Sequence, residues 1–212
     1  MSSFPPIIHV IDDDALFRTA ISRLLKTCDY AVALYESADQ FVENLPSQER
    51  GCILLDVQMP GLNGLDLQER LRAIDSILPI VFLTGHGNIP MSVRMIKAGA
   101  EDVLPKPVSK EDLLAATERA LARYDEARTK TTRLSSEKAL IATLTAREKQ
   151  VFALLVRGKL HKQIAHALGT AERTVKAHRH SIMMKLKVRS LAEAVLMADH
   201  VGITGQDSSH AT

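Results

Sequence analysis

The chain has no tryptophan, and aromatic residues make up 4% of its 212 positions. Proteins that grip single-stranded nucleic acid stack its bases on aromatic rings, so that class is disfavoured. Cysteine is scarce too: Cys28 and Cys52 alone, at no metal-type spacing. Cys52 lies in an apolar run and reads as a small core residue. No apolar run approaches the roughly 20 residues needed to span a bilayer. The opening residues, MSSFPPIIHVIDDD, lack a basic stretch followed by a long apolar one. No secretory signal is expected, and the cytoplasm is the expected location. Neither a GxGxxG fingerprint nor a Walker loop occurs. His161 and His166 are five apart, not the four of HExxH, and no glutamate follows His161. A zinc hydrolase of that type is therefore poorly supported.

What is present is unevenly distributed. The net charge of +2 hides an acidic first part and a basic second part. Residues 1–125 carry 12 Lys and Arg against 18 Asp and Glu, a net −6. Residues 141–204 carry 11 against 4, a net +7. Such asymmetry points to different partners for the two parts, with a polyanion such as DNA for the second.

The first part alternates strand and helix signals. Ile7–Ile11 is a short apolar run, as for a strand covered on both faces. Phe17, Ala20, Ile21, Leu24 and Leu25 then fall on one helical stripe. Further strands are expected at Ala31–Tyr35, Cys52–Val57, Pro79–Leu83 and Asp102–Leu104. Ser37, Asn88 and Ser109 are suited to cap the helices between and after them. Five strand–helix repeats imply an α/β doubly wound parallel sheet with helices on both faces. The expected domains are 1–125, a helical linker at 126–143, an all-α domain at 144–204, and a mobile tail at 205–212. In the all-α part, Thr145 to Glu148 and Ser190 to Glu193 have capping-box spacing.

Asp12 and Asp13 end the first strand and Asp56 ends the third. If those strands are neighbours, three carboxylates converge and repel unless a cation relieves them. Mg²⁺ suits such a set, and Asp56 is the central nucleophile candidate. Thr84 after the fourth strand and Lys106 after the fifth point to the same rim, where each can bond a phosphoryl oxygen.

Four motifs, Ile11-Asp12-Asp13, Leu55-Asp56-Val57-Gln58-Met59-Pro60, Leu83-Thr84-Gly85 and Leu104-Pro105-Lys106-Pro107, resemble those of the bacterial response-regulator receiver domain. The resemblance implies a flavodoxin-like sheet of order 2-1-3-4-5. It implies that Asp56 is phosphorylated by a sensor histidine kinase, with Asp12, Asp13, Asp56 and the Gln58 carbonyl at the Mg²⁺ site. It implies phosphoryl sensing by Thr84 and Lys106, and a cis Lys106–Pro107 bond. One position departs: an aromatic switch residue is usual three before the lysine, and here Val103 stands there.

The segment 161–187 reads as helix, turn, helix. Val175, Ile182 and Leu186 share a stripe with His178; Arg173, Lys176, Ala177, His180 and Met184 share the opposite one. A basic stripe around a small residue suits close approach to a DNA groove. Lys185, Lys187 and Arg189 are placed near backbone phosphates. Leu144-Thr145-Ala146-Arg147-Glu148, Lys162-Gln163-Ile164-Ala165 and Thr174-Val175-Lys176-Ala177-His178 resemble the LuxR-type helix-turn-helix of the NarL/FixJ group. Thr84-Gly85-His86-Gly87, Pro90-Met91 and Lys97-Ala98-Gly99-Ala100 add a likeness to FixJ-like regulators. Expected DNA contacts are Arg173, Thr174, Lys176, Ala177, Arg179, His180, Lys185 and Lys187. Three positions depart from that pattern: His161 replaces the usual Asn, Thr170 an aliphatic residue, and Ala171 a capping Ser.

The expected function is a phosphorylation-dependent DNA-binding transcriptional regulator that homodimerises, with promoter DNA as partner and RNA polymerase as a further candidate. Its only expected chemistry is self-catalysed phosphorylation and dephosphorylation of Asp56. A Mg²⁺-dependent aspartyl-phosphate phosphohydrolase is the rival, and needs a carboxylate where Gln58 stands. A phosphorelay carrier is the other, and leaves the basic helices unexplained.

Overall fold

A computed structural model describes residues 5–46, 49–85 and 89–203. It divides after Arg128 into two compact units, each described separately below.

The first unit contains β1 (Ile7–Ile11), α1 (Ala15–Lys26), β2 (Ala31–Tyr35), α2 (Ala38–Glu43), β3 (Gly51–Asp56), α3 (Gly64–Ala73), β4 (Ile80–Thr84), α4 (Ile89–Lys97) and β5 (Asp102–Pro105). The helix α5 (Lys110–Ala142) follows and continues past the division. The strands form one parallel sheet of order β2-β1-β3-β4-β5. Alternation within each strand sends neighbouring side chains to opposite faces. Ile8, Val10, Cys52, Leu54, Val81 and Leu83 pack with Ile21 and Leu25 of α1 and Leu113 and Ala116 of α5. Ile11, Ile53, Leu55, Ile80 and Phe82 pack with Phe41 of α2, Leu67 and Leu71 of α3, and Met95 of α4. Two apolar layers explain why these strands read as unbroken apolar runs.

Five strand boundaries differ from the sequence expectation, two of them the end of β3, at Asp56 in place of Val57, and the start of β4, at Ile80 in place of Pro79. β3 begins at Gly51, which reads as a breaker. A Cβ there would lie 2.2 Å from the Ile7 carbonyl oxygen, so only glycine lets the two strands start level. β4 and β5 each run one residue further, to Thr84 and Pro105, which are register partners. Ser37 caps α2 and Ser109 caps the start of α5, both through backbone N–H groups. Asn88 lies outside the described residues. The Lys106–Pro107 peptide bond is cis.

The second unit holds α6 (Ala146–Val156), α7 (His161–Ala167), α8 (Glu172–Leu186) and α9 (Leu191–His200). Val151, Phe152, Ile164, Val175, Ile182, Leu186 and Ala198 form its core, with Leu140 and Ile141 of α5 against it. The Thr145–Glu148 capping box is complete. The Ser190–Glu193 pair is half of one. Ser190 Oγ accepts the Glu193 N–H, but the Glu193 carboxylate takes the Arg189 N–H at 2.9 Å. Among the described residues no helix is long and apolar enough to cross a membrane.

Candidate phosphoacceptor site and DNA-facing helices

In a doubly wound sheet the crevice opens beyond the carboxyl ends of the strands, where strand order reverses. Here that point lies between β1 and β3. Asp12 follows β1 directly and is fully buried. Its Oδ1 accepts the Asp14 N–H at 2.9 Å, and Oδ2 accepts Lys106 Nζ at 2.6 Å. Asp14 in turn caps α1, holding the chain in a tight turn that leaves Asp13 exposed at the rim. Asp56 ends β3 and is 7% exposed. Carboxylate oxygens of Asp12, Asp13 and Asp56 all lie within 4.8 Å of one another.

Lys106 Nζ sits 3.2 Å from Asp56 Oδ1 and 4.4 Å above the Phe17 ring. The same ammonium therefore bridges two carboxylates and rests on an aromatic face. Its backbone N–H donates to the Thr84 carbonyl at 2.8 Å, which ties the end of β4 to the turn after β5. Burial pushes the Asp56 carboxyl above its usual range; Lys106 opposes this and Asp12 reinforces it. A second cation shared by the three carboxylates would favour the ionised, nucleophilic form.

Gly64 opens α3 against this site. A Cβ there would meet the Asp56 carbonyl oxygen at 2.5 Å and Phe82 Cε1 at 3.0 Å. Glycine thus lets α3 begin beside the acidic residue. Gln58 is exposed and lines an apolar cleft with Met59, Pro60 and Met91. Val103 is half-buried in the layer containing Phe82 and Met95.

Of the residues expected at this site, Asp12, Asp13, Asp56 and Lys106 come together. Thr84 is buried at the end of the adjacent strand. Two participants were missed. Phe17 was read only as a core position, since an aromatic on an apolar stripe gives no sign of a cation above it. Arg18 donates to the Asp12 carbonyl at 2.5 Å, and a lone arginine on a helix carries no sequence signal for that.

In the second unit, the two stripes of α8 separate as expected. Val175, Ile182 and Leu186 are buried, while Arg173, Lys176, Ala177, His180 and Met184 are exposed. Thr174 and Arg179 are half-buried at the stripe's edge. Ala171, the N-cap of α8, offers no side-chain hydrogen bond. Lys185 is the exception among the basic residues. Its ammonium bonds Glu148 Oε2 at 2.6 Å, and Ser181 Oγ donates to the other oxygen at 2.6 Å. These bonds hold the Glu148 carboxyl down at about 2, with Lys185 the largest cause. Lys185 thus joins α8 to α6. Lys187 caps α8 in the left-handed region, with φ 56°, and is exposed.

Residues 8–118 match the response regulator receiver domain, and residues 142–198 match the luxR family of bacterial regulatory proteins. The chain belongs to the two-component response regulators with a LuxR-type output domain. The response regulator TodT of Pseudomonas putida is 39% identical over 201 residues, covering 95% of this chain and 88% of TodT. The transcriptional regulatory protein FixJ of Bradyrhizobium diazoefficiens is 37% identical, covering 92% of this chain and 96% of FixJ. Among solved structures, the response regulator StyR superposes with a TM-score of 0.79 at 44% identity, covering 92% of this chain and 99% of StyR. Full-length FixJ from B. japonicum gives 0.57 at 36%, covering 93% and 98%. This response regulator is a DNA-binding helix-turn-helix transcription regulator. The phosphohydrolase and stand-alone carrier readings are not favoured, because neither calls for the output domain.

Proposed function

We propose that this regulator is switched by phosphorylation of Asp56. The observation that carries the reading is the meeting of Asp12, Asp13 and Asp56 within 4.8 Å, with Lys106 Nζ bridging two of them. Three hard carboxylate donors, joined by the Gln58 carbonyl, have the chemistry of a Mg²⁺ site. Mg²⁺, when bound there, supplies charge neutralisation for an incoming phosphoryl group. An Asp56 oxygen attacks phosphorus while the P–N bond of a kinase phosphohistidine breaks, and its electrons leave with the imidazole. Lys106 gives up one Asp56 contact to bond a phosphoryl oxygen, and the Thr84 hydroxyl supplies another donor. Water later hydrolyses the acyl phosphate, so the chemistry is confined to the protein's own side chain.

The signal passes through Thr84 to α4 and β5, since Val103 is not an aromatic that can rotate. That face then pairs two copies, which bind two half-sites on promoter DNA. Arg173, Thr174, Lys176, Ala177, Arg179 and His180 approach the groove, and Lys185 and Lys187 the backbone. The receiver spans 1–125, the helical linker 126–143 and the output domain 144–204. The cytoplasm is the working compartment, with a sensor histidine kinase upstream and RNA polymerase as the downstream contact.

The test uses wild type and Asp56→Asn with acetyl phosphate and Mg²⁺. Intact mass, light scattering and binding to selected duplexes are measured together. Wild type gains one phosphoryl mass, dimerises and binds its selected site more tightly; Asp56→Asn does none of these. Equal phosphorylation or dimerisation of both proteins overturns the reading.

A further inference from the structure

The output domain carries a basic cavity of about 300 Å³, to which α7, α8 and the α8–α9 turn all contribute. His161 reaches it from the first position of α7. Lys176, Arg179 and His180 reach it from α8, and Arg189 from the turn. Met183 and Val188 are its apolar lining. Among the described residues no carboxylate lines it. Of the carboxylates on the surrounding helices, Glu148 binds Lys185 and Ser181, and Glu193 takes the Arg189 N–H. Glu172 is exposed four residues before Lys176 on α8, and Asp199 lies on α9, both outside the lining. Three permanent cations and two histidines thus share one small concave site. A concave site of this charge suits a phosphodiester group.

We propose that His161 and His180 bind backbone phosphate in this cavity as imidazolium ions, so that duplex DNA and protons bind this regulator together. The proposal rests on the DNA-binding reading, places Lys176, Arg179 and His180 on a phosphate at the wall of the groove, and adds a contact, His161, and a linkage to it. Histidine is the side chain whose ordinary titration falls between pH 5 and 8. A phosphate beside an imidazole favours its charged form. Reciprocity then requires that protonation raise affinity for the phosphate. Affinity for DNA rises as pH falls, by up to about tenfold per pH unit for each histidine that takes up a proton on binding. Lys176, Arg179 and Arg189 bind the same phosphate at every pH and set the salt dependence. His161 occupies the place where the resemblance expects asparagine, a residue that hydrogen-bonds but carries no charge. That exchange is what makes the contact titratable.

The domain's other described histidines are three. His178 is half-buried on the core side of α8, His166 is exposed on α7, and His200 at the end of α9 has its Nδ1 3.2 Å from both Glu137 carboxylate oxygens. None of the three lines the cavity. Glu148 titrates at about 2 and contributes nothing between pH 6 and 8.

The full-length protein is titrated with a fluorescent 30-base-pair mixed-sequence duplex at pH 6, 7 and 8, at fixed ionic strength. Calorimetry in buffers of differing ionisation enthalpy counts the protons taken up. The variants are His161→Gln, His161→Asn, His180→Gln, His166→Gln and Lys176→Ala. Wild type gains about tenfold or more in affinity from pH 8 to 6. Each of the His161 and His180 variants loses part of that gain and takes up fewer protons. His166→Gln keeps both, and Lys176→Ala weakens binding at all three pH values. Two His161 replacements guard against a local folding defect, with circular dichroism as the check. A wild-type affinity independent of pH overturns the proposal, as does unchanged proton uptake in both His161 variants. Absence of salt-sensitive duplex binding at every pH overturns the DNA-binding reading itself, an outcome distinct from pH-independent binding.

Discussion

His9 lies on β1 three residues before Asp12 and is 2% exposed. Its Nδ1 is 3.2 Å from the Tyr35 hydroxyl, and its ring sits edge-on to Phe41 at 5.6 Å between centroids. Among the described residues its Nε2 has no hydrogen-bond partner. Burial therefore penalises the imidazolium, and the pKa falls to about 4. A histidine depressed from about 6.5 stabilises the fold fully above pH 6.5. Between pH 6.5 and 4 the unfolded chain takes up a proton that the folded chain refuses, and stability is lost. Below about 4 both forms are protonated and this loss stops growing. The total is about 3 kcal/mol. Urea midpoints from pH 7 to 4 should fall more steeply in wild type than in His9→Phe, which keeps the aromatic contacts. Parallel pH profiles would show that His9 is not the group responsible. Such a residue is invisible to sequence reading. A histidine inside an apolar strand looks like an interruption, and only the contacts of β2 and α2 reveal an aromatic cluster.

At the scale of elements, α8, the second helix of the helix-turn-helix, begins without a side-chain cap, at Ala171. Serine at that position accepts a backbone N–H that Ala171 cannot. Ala171→Ser should raise the stability of the output domain by about 1 kcal/mol, read as a higher thermal midpoint. An unchanged midpoint would mean that packing of Val175 and Ile182 already fixes the first turn. The missing cap was legible in the sequence because capping depends on one residue and its near neighbours. The five strands were legible for a related reason: runs such as Ile7–Ile11 report burial on both faces directly. Element ends were less so. Gly51 enters β3 because of a close approach to Ile7, a partner 44 positions away. Glu193 abandons the capping box because the Arg189 N–H also lies in reach. Lys185 bonds Glu148, 37 residues upstream, a contact that no local spacing announces. Local rules see spacing, and these outcomes depend on which distant group arrives first. The acidic site was legible because parallel strands bring their ends to one rim, so Asp12, Asp13 and Asp56 follow from topology. Phe17 and Arg18 contribute through long-range placement and were not.

Across the whole molecule, the two units carry separate cores that share no residue. Each also carries its own electrostatic keystone. In the first it is the carboxylate cluster around Lys106, whose repulsion a divalent ion relieves. In the second it is Glu148, buried and bonded to Lys185, Ser181 and the Thr145 N–H. The boundary after Arg128 falls inside α5, so helical continuity alone does not define a cooperative unit. Packing does, and urea should unfold the chain in two steps. Mg²⁺ that binds the folded receiver and not the unfolded chain would, at 100 times its dissociation constant, stabilise that step by about 2.7 kcal/mol. Asp13→Asn should remove the Mg²⁺ response and leave the other step in place. Glu148→Ala should do the reverse, lowering only the output-domain step by about 2–3 kcal/mol, because it removes the buried charged acceptor that Lys185, Ser181 and the Thr145 N–H share. Tyrosine fluorescence separates the steps, since Tyr30, Tyr35 and Tyr124 all lie in the first unit; far-ultraviolet circular dichroism follows the helices of both. A single transition moved by both Mg²⁺ and Glu148→Ala would mean that the cores unfold as one. Phosphorylation would then act on a rigid body, and a switch that frees one unit from the other would need a different physical basis.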